Sequence, residues 1–236
     1  MSTQSAAVAP GRPRPTAVLV LGVLGLLTFA LVPIQINTIY DGLPAHPLFL
    51  HVPVILIPVA GIAALVLAAR PGLFERHGVW ITAVAVVALG ALNLTMGAGK
   101  ALRRDLFGAG GGFGGGDASL IARHEHAADL LRILFILFTA VLIISLAVYR
   151  ARSDAPPVTG IPGVDPLLVR VRALMPSLIP LRVALVVLSL LSLYFVFHTG
   201  DLGARAVWQG RVGGPGGFGG PGGGGGVSGL FGPGGG

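Results

Sequence analysis

The sequence predicts an all-α integral membrane protein, with a four-helix transmembrane core and one extra N-terminal transmembrane helix. Three observations predict this. Charged residues make up 11% of the chain and hydrophobic residues 53%, whereas a soluble domain carries about 25% charge. So few charges cannot cover a water-facing surface, and much of the exterior must face lipid. Apolar runs of near membrane-spanning length recur, since a hydrocarbon core about 30 Å thick needs roughly 20 apolar residues in helix. Finally, the cations of a chain with net charge +7 sit at the ends of those runs. That is a topological pattern, and it argues against a nucleic-acid partner.

The elements follow in order. Residues 1–15 form a polar tail that carries Arg12 and Arg14. Thr16–Ile34 is the extra span. Its arginines and apolar core imitate a secretion signal, but the core is long and no A-x-A-like site lies within Gln35–Tyr40. A retained helix is expected. Residues 41–212 hold the four-helix domain, with spans at His51–Ala69, Gly78–Ala98, Ala127–Tyr149 and Leu181–His198. Arg70, Lys100 and Arg150 close the first three of these. Pro180 opens the last, where its missing N–H costs nothing.

One side of this topology holds Arg12, Arg14, Arg70, Arg76, Arg150, Arg152, Arg170, Arg172 and Arg182. The other holds Lys100, Arg103, Arg104, Arg123, Arg205 and Arg211. The positive-inside rule then places the N-terminus in the cytoplasm and the C-terminal tail outside, in a plasma (inner) membrane. Asp165–Pro180, with Leu167, Leu168, Val171 and Leu174 beside Arg170 and Arg172, suits either a short surface helix or a proline-bounded loop.

Residues 108–116 and 213–236 are mostly glycine, and GGFGG occurs in both. Glycine loses the most freedom on folding, and these tracts have almost no side chains to bury in return. A flexible loop and a disordered tail are expected. A GxGxxG pattern in such tracts follows a span and not a strand, so it is no dinucleotide site, and Gly97–Lys100 lacks the Walker spacing.

Cysteine is absent. Disulfides, cysteine-held iron–sulfur clusters and covalent c-type haem are therefore excluded, and His, Asp, Glu and Met remain as metal ligands. Of the six histidines, His77 falls in the loop between the second and third spans. His46, His51, His124, His126 and His198 all fall at the other level, a result of counting crossings that holds whichever face is outside. Histidine suits a headgroup boundary, so placement alone proves little.

Local detail adds to it. Pro47 is a good first helical residue, so His46 should flank the helix start, with His51 deeper and Pro53 bending the helix beside it. Glu125, Asp129 and Arg132 share a stripe, on which Arg132 can pair with Asp129, either as an anchor or as part of a site. Asn93 and Met96 lie near the same end of their span. Gly200 and Gly203 around Asp201 suggest a close turn or a plain helix stop after His198.

Gly42-Leu43-Pro44-Ala45-His46-Pro47-Leu48-Phe49-Leu50-His51-Val52-Pro53 resembles the GLPxHPLxxHxP opening of a bacterial family of predicted membrane proteins, number twenty-two thirty-one among the domains of unknown function. His198-Thr199-Gly200-Asp201 through Val207-Trp208 is similar to its closing His-x-Gly motif, though Asp201 stands where the family often has glycine. The resemblance covers Asp41–Val212 and implies a four-helix core with a histidine-rich end. By matching position it carries over His46, His51 and His198, and His124 and His126 more loosely. Family members are sometimes joined to cytochrome-type domains, which implies redox chemistry.

Three functions stay open on these residues. One is a b-haem or metal redox protein with His51 paired to His198 or His126, and His46 and Asp129 around them. Another is a scaffold or accessory subunit with membrane or redox protein partners. A third is a small transporter or proton channel using the Glu125/Asp129/Arg132 stripe with His126.

Overall fold

The computed structural model describes residues 42–108, 118–152 and 177–208, with the single positions Ile34, Ile36, Thr38, Pro166 and Arg170. A short helix α1 (Ala45–Phe49) leads into α2 (His51–Ala69), followed by α3 (Leu73–Gly108), α4 (Ala118–Arg152) and α5 (Ile179–Trp208). Among the described residues, four segments are long and apolar enough to cross a membrane: Ala45–Ala69, Leu73–Asp105, Ser119–Tyr149 and Ile179–Trp208. The extra span at Thr16–Ile34, the glycine tracts beyond Gly108 and most of Asp165–Pro180 lie outside the described residues.

The four long helices close into a ring. Each packs against its two neighbours, α2 on α3, α3 on α4, α4 on α5 and α5 back on α2. Between lipid tails there is no hydrophobic drive to associate, so close packing and hydrogen bonds must hold the ring. The interior shows both. Phe135 and Phe138 are fully buried and stacked with centroids 5.1 Å apart, and Ile57, Leu89, Leu142 and Leu185 surround them. Small residues bring backbones together. A Cβ on Gly61 would stand 3.3 Å from Cγ of Leu193 on α5. Ile55, Val59, Ile62 and Val66 form an exposed apolar stripe on α2, as a lipid-facing surface requires.

Hydrocarbon offers no water, so several of the buried hydroxyls bond their own helix. Thr82 donates to the Gly78 carbonyl at 2.7 Å, Thr139 to Phe135 at 2.8 Å and Ser189 to Leu185 at 2.7 Å. Arg182 reaches across, donating from Nε to the Ala68 carbonyl at 2.7 Å, and ties the start of α5 to the end of α2.

Several local expectations change. The helix starts before Pro47, so His46 lies inside α1 and does not merely flank it. The break falls at Leu50 because Pro53 has no N–H for the Phe49 carbonyl and crowds it. At the other end of the chain, α5 does not stop at His198 but continues through Gly200 and Gly203 to Trp208. Likewise α3 and α4 run past their expected ends, and His77 sits on α3 rather than in a loop.

Phe135→Ala should lower stability by about 3–5 kcal/mol, the usual cost of emptying a packed phenylalanine site. Ile133→Ala, on the lipid side, should change it little. Thermal unfolding of the two variants in one detergent checks the contrast.

Candidate histidine site

The opening motif is built to present His46. Gly42 has a φ of 77°, which favours glycine. Pro44 then stands at the N-cap of α1, and Ala45 is wholly buried where α1 packs on α3. This leaves His46 half-buried, with Nδ1 2.9 Å from the Thr95 carbonyl of α3. A carbonyl can only accept, so Nδ1 carries the proton and donates. In the neutral ring Nε2 is then the unprotonated nitrogen, an acceptor or a ligand.

The helix explains why that carbonyl is open to a ring. It already takes the N–H four residues on, and a second lone pair remains. The residue four ahead is Gly99, and a Cβ there would lie 2.9 Å from His46 Nδ1. Only glycine leaves that space.

The same device recurs on the other helix pair. His124 donates from Nδ1 to the Thr199 carbonyl of α5 at 2.9 Å. Four residues ahead is Gly203, where a Cβ would lie 3.1 Å from His124 Nδ1. A shift of 78 residues takes His46 to His124, and a shift of 104 takes Thr95 and Gly99 to Thr199 and Gly203. The same shifts take a contact at the far end, Ala68 with Arg182, onto Leu146 with Gly78. The α2–α3 and α4–α5 hairpins are thus two copies of one arrangement about an axis along the bundle. That correspondence sets the two histidines at one depth, at the same end of the bundle.

The other sequence-derived candidates fall differently. His51 and His126 are exposed, and among the described residues neither ring has a hydrogen-bond partner. His198 is half-buried on α5, stacked on Tyr194 at 5.6 Å and edge-on to Phe195 at 6.3 Å. The stripe on α4 is also split. Glu125 pairs with Arg103 across to α3, Asp129 is exposed, and no ion pair between Asp129 and Arg132 forms. Arg132 keeps Nε buried without a partner. Asp201 pairs with Arg205 one turn on at 2.9 Å, an exposed contact of the kind worth about 0.3–0.5 kcal/mol. Among the described residues no three His, Cys, Asp or Glu side chains converge as a metal site would need. His124 is the residue that motif matching undervalues. The signal that finds it is the repeated Thr-x-x-x-Gly at Thr95–Gly99 and Thr199–Gly203.

The fold and site define a polytopic helical membrane protein with paired, tethered histidines at one end of a two-fold bundle. Residues 42–215 match the family described as predicted membrane protein (DUF2231). The chain belongs to that family. The match begins at Gly42, the glycine that starts the motif presenting His46. No curated protein and no solved structure matches the chain.

Gly203→Val should displace the His124 ring, whereas Gly200→Val, with open space around it, should leave it seated. Imidazole 15N spectra check this. The signal of a fixed Nδ1–H tautomer at His124 should persist in Gly200→Val and disappear in Gly203→Val.

Proposed function

We propose that this protein is a membrane redox carrier that holds a b-type haem between His46 and His124. The observation behind the reading is the matched tether. Each ring gives Nδ1–H to a helix carbonyl and leaves Nε2 with a free lone pair. Histidines that bind metals are typically held in this way, the second nitrogen fixing ring angle and tautomer. Two such rings, and no third ligand converging with them among the described residues, suit a haem better than a bare ion. A haem carries its own nitrogen donors, so the two histidines His46 and His124 would be enough to hold it, as histidines on facing helices of a bundle do.

Bound there, haem iron would supply one-electron transfer between its ferric and ferrous states. The protein's own contribution is geometry and insulation. Thr95 and Thr199 carbonyls orient the rings and make Nε2 more basic. Gly99 and Gly203 let each ring lie against a neighbouring helix, and the Phe135–Phe138 layer beneath keeps water from the interior. The arginine distribution supports an extracytoplasmic histidine end, and such a carrier would have membrane or periplasmic redox partners. The earlier pairing of His51 with His198 or His126 is set aside in favour of this pair, because His51 and His126 are exposed.

Protein purified in detergent after expression with haem supply should show a Soret band that shifts on dithionite reduction. His46→Ala and His124→Ala should each remove most of it, while His51→Ala and His126→Ala should keep it. A colourless wild type that also takes up no added haemin would leave the tethers as helix clamps and overturn the redox reading.

A further inference from the structure

Among the described residues, one charged side chain keeps a buried donor without a partner. Arg132 on α4 keeps Nε buried, and among the described residues no hydrogen bond or ion pair reaches it. A cation within the membrane is normally paired or solvated, and an unpaired one carries a large desolvation cost. On the neighbouring helix α3, Asn93 is only 6% exposed and its Nδ2 also lacks a partner. Both orphans are donors. Two donors without an acceptor define a place for an acceptor, and the cation makes it a place for an anion.

Their depth relates them to the histidines. Asn93 lies two residues inward of Thr95, the carbonyl that holds His46, or about 3 Å at 1.5 Å per residue. Arg132 lies eight residues inward of His124, or about 12 Å. Helix side chains lean toward their helix's N-terminus. The N-terminus of α4 is at the histidine end, so Arg132 leans back toward the histidines. The N-terminus of α3 is at the far end, so Asn93 leans inward. These leans bring the two side chains toward each other in depth, beneath the histidine pair. Arg132 also shares its face of α4 with Glu125, seven residues earlier, and Glu125 pairs with α3 through Arg103. That turns Arg132 toward the helix that carries Asn93.

We propose that Arg132 and Asn93 form a carboxylate-binding layer beneath His46 and His124. Arg132 supplies the counter-charge and Asn93 a second N–H. This rests on the histidine reading where the carboxylate is a propionate arm of the haem. It stands apart from it where the carboxylate is a free short-chain acid entering from the histidine end.

The test separates the two. Haem-free wild type, Arg132→Gln, Asn93→Leu and His46→Ala/His124→Ala are placed in nanodiscs and titrated with haemin or its dimethyl ester, whose propionates are masked. Wild type should bind haemin about tenfold or more tightly than the ester, as expected for one charge-assisted bond. Arg132→Gln should bind the two alike with an unchanged Soret position, Asn93→Leu should narrow the difference, and the double histidine variant should bind neither. Equal preference in wild type and Arg132→Gln would overturn the propionate form. Should wild type bind neither porphyrin, the histidine reading fails and thermal unfolding decides the rest. Sodium propionate should then raise the midpoint over sodium chloride of equal ionic strength in wild type and not in Arg132→Gln. No such rise would overturn the carboxylate layer as well.

Discussion

The polar groups satisfied inside this bundle take their partners from the protein itself, and the rest of the structure depends on that constraint. Hydrocarbon offers no water to hydrogen-bond an exposed N–H or carbonyl. Thr82, Thr139 and Ser189 therefore turn back on their own helices, and Arg182 crosses to the Ala68 carbonyl. The histidine tethers follow the same rule. A half-buried imidazole needs somewhere to put its N–H, and the only acceptor a regular helix can spare is the second lone pair of a carbonyl. Thr95 and Thr199 supply it because Gly99 and Gly203 leave those carbonyls uncovered. One interaction thus fixes helix spacing, ring orientation and tautomer together.

The two-fold arrangement gives that interaction its functional weight. A single tethered histidine would be a helix clamp. Two copies, at one end of the bundle and on different helix pairs, fix Nδ1 of each ring on a helix carbonyl and leave both Nε2 atoms outside those bonds. The symmetry is not perfect, and the departures are informative. Position 132 is an arginine, while the residue 78 positions before it is Val54, exposed to lipid. Arg182 likewise stands where the other hairpin has Gly78. The copy that carries His124 has a half-buried arginine with its Nε enclosed; the copy that carries His46 has none at the matching position.

The helical class was legible because span length and charge scarcity follow directly from bilayer thickness, as His51–Ala69 illustrates with the same two ends in sequence and structure. The gathering of histidines at one end follows from counting crossings. The pairing was not legible. His51 looked better placed than His124, since it sits deeper in its span and beside a proline. Yet exposure depends on which way a helix is rotated, and α2 has apolar residues all round, so its sequence gives little rotational signal. The Arg132–Asp129 pair failed for a related reason. Spacing along one helix puts them within reach, but Arg103 on the next helix takes Glu125 and Arg132 turns inward, a choice set by tertiary packing. The Thr-x-x-x-Gly repeat was visible in the sequence, but its meaning depends on a ring from another helix.

What the tethers cannot do alone is decide between a clamp and a ligand pair, because both use the same Nδ1–H bond. The difference lies in what surrounds the free Nε2. A clamp would be expected to pack in an apolar, fully satisfied interior, since any further polar group there only costs stability. This interior is not of that kind. Asn93 and Arg132 sit beneath the rings with donors unfilled, and Thr199, whose carbonyl holds His124, keeps its own Oγ1 buried without a partner. Ionisable residues inside a membrane mark functional sites by default, and Arg132 is one of them. The unsatisfied donors, more than the histidines themselves, favour a site over a clamp.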